Sequence, residues 1–328
     1  MKKGRKRFKR KAWWMVLLFI TFIYFNNSSF LANDRSGKPV LLAHRGLSQT
    51  FPMEGVESDT CTAERIDRPE HPYLENTLPA MEAAFRAGAD VVELDIKPTK
   101  DGQFAVFHDW TLDCRTNGTG MTIDYTMAEL KKLDIGYGYT ADHGKTHPFR
   151  GKGIGLMPSF TEVLEHFPNR ELLIHIKSHD PNEGVQLAKI LDSLPRKRLR
   201  KLTVYGGDEP IAALKKTLPE LRVMSKKTMK ACLIRYMSAG WTGYIPDGCK
   251  HTQLHIPEKV APFLWGWPHR FFNRMDKADT RVIVTGGSGL GFSSGFDTVE
   301  DIKRLPEDYT GGIWTNRIDR IAPLYGKP

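Results

Sequence analysis

From residue 39 onward, short apolar runs rich in β-branched residues alternate with stretches whose apolar residues recur at helical spacing, and this alternation narrows the possible folds more than any other feature. Strand and helix in regular succession make a parallel sheet covered by helices. The runs PVLLAH (39–44), DVVELDIKP (90–98), ELLIHIK (171–177), KLTVYG (201–206), LRVMSK (221–226), TGYIPD (242–247), TRVIVTG (280–286) and GGIWTN (311–316) read as the parallel strands. An extra extended run, 103–108, follows a turn at Asp101-Gly102. Between strands, NTLPAMEAAFRAG carries Leu78, Met81, Ala84 and Phe85 on one side and stops at Gly88, while Ser159 is placed to cap PSFTEVLEHF. The aromatic and proline-rich segment 254–279 is expected to pack across one barrel end. Eight strands in this length predict an α/β fold of the TIM (β/α)8 barrel type over 39–325. A doubly wound sheet is the alternative, and it leaves the last two strand units awkwardly placed.

Polar residues recur where these strands end, the place at which a barrel gathers its active site. His44-Arg45-Gly46 closes the first strand. Glu93 and Asp95 stand at i and i+2 in VVELDI, so both carboxylates face one side, an expensive arrangement to bury unless a cation compensates. His108-Asp109 ends the next extended run, and His175 and Lys177 repeat the i, i+2 spacing. Together these positions offer carboxylates for a hard cation, two imidazoles for proton transfer, and Arg and Lys for an anion.

The net charge of +10 raises the question of a nucleic-acid partner, and its distribution argues against one. Eight Lys and Arg fall within residues 2–11, leaving 40 basic against 38 acidic residues in the rest. Residues 1–11 therefore read as a basic cytoplasmic tail. AWWMVLLFITFIYF (12–25) follows, and reading on to Ala32 gives a 21-residue candidate for a transmembrane signal anchor with the N-terminus inside. A cleaved signal peptide is the rival; the residues before 33 read FLA rather than a small-x-small site. Either reading puts the remainder outside the cytoplasm, single-pass in the cell membrane or secreted. Four cysteines without a C-x-x-C are consistent with export; pairing Cys61 with Cys114 and Cys232 with Cys249 would pin neighbouring loops, and four separate thiols are the plain alternative.

Several motifs in order then carry a resemblance. HRG at 44–46, ENT at 75–77, GADVVELDIKPTKDGQFAVFHDWTLDCRTNGTG at 88–120, TMAEL, LDIG at 133–136 and PSFTEVL at 158–164 resemble the glycerophosphodiester phosphodiesterase family; the likeness thins after residue 177 and returns at GGIWTNRID. The resemblance implies a TIM barrel that hydrolyses glycerophosphodiesters to sn-glycerol 3-phosphate and an alcohol with one divalent metal ion. It implies His44 and His108 as the catalytic pair, Glu93 and Asp95 as metal ligands, and Glu75 as an acid that ligates the ion or orients Arg45. Arg45 and Lys177 would hold the phosphate, and Trp314 would flank the substrate or fill the barrel core.

Two departures from the family pattern matter. The family's third carboxylate ligand, in E-x-K, is replaced by His175, an uncharged and softer donor, so Mn²⁺ or Zn²⁺ joins Mg²⁺ and Ca²⁺ as a candidate ion. The closing T-D-x-P is Thr315-Asn316-Arg317-Ile318 here, without the charge. The Gly-rich run 285–296 lacks the helix unit of a dinucleotide site and reads, with WGWPHRFF (265–272), as a rim that would admit a lipid or large head group. The alternatives are a lysophospholipase D-like activity on membrane lysolipids and a decayed, membrane-bound binding protein. The expected partners are the substrate and, through the N-terminal segment, a membrane; no nucleic acid and no obligate protein partner are expected.

Overall fold

In the computed structural model, the residues described are 2–32, 37–57, 60–287 and 294–327, with the side chains of 2–8 left aside. The strands are β1 (Val40–Ala43), β2 (Val91–Pro98), β3 (Phe104–Val106), β4 (Glu171–Ile176), β5 (Leu202–Gly206), β6 (Arg222–Ser225), β7 (Gln253–Pro257), β8 (Arg281–Thr285) and β9 (Gly312–Thr315). They pair in the order β6-β5-β4-β2-β1-β9-β8-β7, with β3 antiparallel to β2 off that path. A parallel bridge from Val223 to Thr252, with Thr252 Oγ1 donating to Val223 O at 2.6 Å, brings the two ends of the row together. The result is a nearly closed barrel of eight parallel strands with helices outside, consistent with a TIM barrel.

One strand lies elsewhere than expected. Residues 242–247 form no strand: Gly243 is left-handed and Pro246 withholds a donor. The sixth parallel strand is Gln253–Pro257, drawn from the head of the segment assigned to the barrel end, where Pro257 closes the run instead of interrupting it. The rest of that segment includes a helix, His269–Lys277.

Local chemistry accounts for the elements around the mouth. Helix α2 (Leu78–Arg86) starts at Thr77, whose hydroxyl accepts from Ala80 N, and buries Met81, Ala84 and Phe85. It packs close under the first strand end because Gly46 has no side chain: a Cβ there would lie 2.8 Å from the Ala80 carbonyl carbon, and Gly46 has φ +82°. Ser159 caps the helix Phe160–His166 reciprocally with Glu162. The main core joins sheet to helices, whereas a second cluster around Phe107, Leu112, Met127, Tyr139 and Phe149 lies under the long β3–β4 excursion. Disulfides join Cys61 to Cys114 and Cys232 to Cys249, the loop-pinning pairs.

The N-terminal helix α1 spans Lys2–Asn27. No helix among the described residues is long and apolar enough to cross a membrane. The expected transmembrane span 12–32 is thus without support: only its residues 12–27 are α-helical, about 24 Å, against a hydrocarbon core of about 30 Å. The end of α1 is instead clamped to the barrel. Asn26 and Asn27 donate to Trp241 O at 2.9 and 2.8 Å, and Arg274 donates to Asn26 O and to the Asn27 side chain.

Candidate active site

The barrel register puts the acidic pair and its neighbours in one layer. Asp95 lies beside His175, and His175 beside Tyr205, on three adjacent strands. Glu93 and Asp95 are 0% and 1% exposed, and each is held on its far side. Tyr205 donates its hydroxyl to Glu93 Oε1 at 2.7 Å; Asn76 Nδ2 donates to Asp95 Oδ2 at 3.1 Å, and Asn76 Oδ1 accepts from Asp95 N at 3.0 Å. His175 Nδ1 is 2.8 Å from Asp95 Oδ1, and its ring stacks on Tyr205 at 4.1 Å. Glu93, Asp95 and His175 each present a ligand atom, all within 4.8 Å of one another.

Electrostatics set the two carboxylates apart. Burial and the neighbouring Asp95 push the Glu93 carboxyl well above the usual range. Burial opposes charge on Asp95 as well, but His108, Arg45 and the His175 hydrogen bond outweigh it and hold Asp95 well below. The protein alone therefore leaves the pair short of positive charge. Two carboxylates and an imidazole converging there fit a divalent cation.

Two imidazoles stand around this centre. His44 places Nε2 3.9 Å from Glu93 Oε2 and Nδ1 2.7 Å from Asn316 Oδ1. His108 Nδ1 is 2.7 Å from Asp109 Oδ1, and Lys177 Nζ is 2.9 Å from His108 Nε2. Burial, then Arg45, lowers His108 to about 4, so its ring is neutral at pH 7. Burial and the Arg45 charge likewise take His44 well below its ordinary value. His44, Arg45, Glu75, His108, His175, Lys177, Tyr205 and Trp314 line one cavity of about 300 Å³, at the lower end of small-molecule sites.

All nine expected site residues gather at this mouth, though two stand differently from the ion-ligand or substrate-flanking roles considered for them. Glu75 is outside the three-ligand group: its oxygens meet Arg45 Nη1 at 2.9 Å and Arg115 Nη1 at 3.1 Å, so its carboxylate is paired with two guanidinium groups. Trp314 is 2% exposed and belongs to a small core cluster with Leu42, Val91, Leu173 and Ile283, while its ring edges the cavity 4.8 Å from the His44 ring. Arg45, at φ +58°, also reaches Asp95 Oδ2 at 3.3 Å. Site members given no role from the sequence are Asn76, Asp109, Arg115, Tyr205 and Asp297. Asn76, Asp109 and Arg115 lie inside the quoted motifs at 75–77 and 88–120, and Tyr205 ends a strand as His175 does; Asp297 carries no local signal. The Gly-rich run 285–296 has its middle, 288–293, outside the described residues.

The family model described as the Glycerophosphoryl diester phosphodiesterase family matches residues 44–231. The Bacillus subtilis (strain 168) protein YhdW is 30% identical over 195 residues, covering 55% of this chain and 72% of that protein. A glycerophosphodiester phosphodiesterase of Caldanaerobacter subterraneus subsp. tengcongensis is 34% identical over 140 residues, 43% of this chain and only 45% of that enzyme. In three dimensions the chain is similar to an Oleispira antarctica phosphodiesterase solved in complex with the product sn-glycerol-3-phosphate, with TM-score 0.54, 17% identity, and coverage of 86% of this chain and 94% of that one. The matched stretch contains eight of the nine expected site residues, all but Trp314, and more than half of the chain; this protein belongs to the glycerophosphoryl diester phosphodiesterase family.

Proposed function

We propose that this protein hydrolyses glycerophosphodiesters to sn-glycerol 3-phosphate and an alcohol in a divalent-metal-dependent reaction. The observation that carries the reading is the meeting of two imidazoles at one cavity, backed through His175 by the buried carboxylate pair Glu93 and Asp95. A cation held by Glu93, Asp95 and His175 would stabilise the charge that grows on the nonbridging phosphate oxygens. Arg45, already aligned by Glu75, and Lys177 bind the phosphate through charge-assisted hydrogen bonds. His44 Nε2 acts as base or nucleophile, and His108 Nε2, neutral at rest and 2.9 Å from Lys177 Nζ, takes a proton from the Lys177 ammonium and passes it to the departing alcohol. If the glycerol 2-hydroxyl is the attacking group, a cyclic phosphate forms first, and its absence in single-turnover trapping would rule that route out.

Turnover of glycerophosphocholine by H44A, H108A and E93A proteins tests the reading. Each is expected to fall at least about 100-fold below wild type; equal rates in all four proteins would leave a binding protein with a spent site. His175 in place of a carboxylate favours Mn²⁺ or Zn²⁺ over harder ions, and a Mg²⁺ rate exceeding both by orders of magnitude would refute that preference.

A second substrate class has its own support. Phe51, Met53 and Val56 form an apolar wall beside the polar end of the cavity, which suits lysolipids. Soluble glycerophosphocholine and micellar lysolipid compared side by side decide between them. A position at the outer face of a cell membrane, with the N-terminal segment as its attachment unless cleaved, is supported by the basic tail and by the exposed Trp13, Trp14, Leu18 and Phe25 of α1. Co-sedimentation with membrane vesicles at neutral pH, lost when residues 1–25 are removed, is the expected result; a wholly unbound full chain would contradict attachment.

A further inference from the structure

We infer that Asp297 is a positioning residue for His44: through the side chain of Asn316 it keeps the imidazole proton on Nδ1 and turns the Nε2 lone pair toward the cavity. The inference rests on the proposed role of His44 as base or nucleophile, and it assigns the part played by a residue outside the matched motifs.

The argument is one of donors and acceptors. Asp297 Oδ1 accepts from Asn316 N at 2.7 Å and from Thr315 Oγ1 at 3.0 Å, and Asp297 Oδ2 accepts from Asn316 Nδ2 at 2.8 Å. A carboxylate offers only acceptors, so the Asn316 amide must present its NH₂ to Asp297. Its carbonyl oxygen is then committed to the opposite side, where His44 Nδ1 lies 2.7 Å away. An oxygen accepts, so Nδ1 carries the hydrogen, and in the neutral ring Nε2 is left with a free lone pair. That nitrogen is the one facing Glu93 Oε2 across the site.

The surrounding backbone leaves little freedom for another arrangement. His44 N donates to Thr315 O at 3.0 Å, tying the end of β1 to the end of β9, and Phe296 N donates to Trp314 O at 2.8 Å, laying the Asp297 segment along the same strand. Gly295 opens the space that the pair occupies. A Cβ on it would come 2.4 Å from Asp297 Oδ1 and 2.7 Å from Asn316 Nδ2. The loss of a carboxylate at position 316 is thereby offset one bond network further out. As Nε2 takes the proton of an attacking hydroxyl, Nδ1 keeps its own, and the resulting imidazolium faces an amide oxygen backed by the Asp297 carboxylate.

Asp297→Asn tests this in the metal-loaded full-length enzyme. The new amide can still accept from Asn316 N and Thr315 Oγ1, but its NH₂ then confronts the NH₂ of Asn316. The Asn316 amide must turn over, offer a donor to His44 and move the ring proton to Nε2. The expected result is a kcat reduced about 100-fold with KM within about twofold, and ¹⁵N spectra that change from the Nδ1–H to the Nε2–H pattern for His44. The exchange variant D297N/N316D puts an acceptor back beside His44 and a donor behind it, and recovers activity to within about tenfold of wild type together with the Nδ1–H pattern. Wild-type kcat in D297N, or no recovery in the exchange variant, would overturn the inference. Should D297N fail to fold, an Nε2–H pattern in the wild-type protein would overturn it alone. Failure of the proposed function would show separately, as undiminished turnover in H44A.

Discussion

Arg115 and Arg274 are both buried, one in each half of the barrel, and their surroundings differ completely. Arg115 is packed against charge: Nε meets Asp109 Oδ2 at 2.7 Å and Nη1 meets Glu75 Oε2 at 3.1 Å, with the Tyr139 and Thr62 hydroxyls completing its fork. Arg274 is packed against dipoles: the carbonyls of Asn26 and Gly240, the Asn27 side chain and the Tyr236 hydroxyl. From Arg115 a chain of pairs runs through Asp109 to His108 and Lys177, and through Glu75 to Arg45 and Asp95. Arg274 instead gathers neutral oxygens and fastens two pieces of backbone. Charge confined to matched pairs makes a reactive mouth; charge spread over carbonyls makes a clamp.

The contrast can be broken most directly at Arg115. Arg115→Met leaves Asp109 and Glu75 buried without their cation, so a stability loss of about 3–5 kcal/mol in denaturant unfolding is expected, with a fall in kcat/KM of at least about 100-fold. Next come the two disulfides. Opening Cys61–Cys114 frees a 53-residue loop and opening Cys232–Cys249 a 17-residue one, so serine pairs should cost about 4 and about 3 kcal/mol, the larger loss in the half that carries the chemistry. Equal losses would say that the second cluster under the β3–β4 excursion holds without its staple.

Acid should also find the first half. His108 titrates near 4 when folded, against 6.5 unfolded, so between those values the unfolded chain binds more protons. The stability that depends on a neutral His108 is complete above pH 6.5 and is lost as pH falls toward 4, a change on the order of 3 kcal/mol. Unfolding midpoints measured across this range should decline less steeply in His108→Gln. The smallest effect belongs to Arg274→Met: about 1–3 kcal/mol from stranded carbonyls, with kcat/KM within about twofold. A catalytic loss as large as that of R115M would erase the distinction between the halves.

Much of the barrel was legible because its signals are local. Glu93 and Asp95 betray their common face by spacing alone, and Gly88 and Ser159 mark helix ends by their chemistry. The sixth strand was not, because QLHIP is short and runs straight into a proline-rich stretch, whereas residues 242–247 imitate a strand over a few letters. Within the site, Arg115 stands in the quoted 88–120 run but its part is hidden there: its partners lie 6, 40 and 53 residues away in Asp109, Glu75 and Thr62, and only folding assembles them. Asp297 is silent for the same reason, 19 residues before the amide that it orients. The spacing of the acidic pair is written along one strand; the hydrogen-bond partners of His44 are written across the fold.

The clamp on α1 reaches past the helix itself, since Ser29 Oγ donates to the carbonyls of Trp267 and Gly266 at 2.9 and 3.1 Å. The end of the helix is consequently tied to the barrel at Trp241, Arg274 and the Gly266–Trp267 carbonyls. Whatever surface takes hold of that helix also chooses the compass bearing of the catalytic opening, so that tilting one must steer the other.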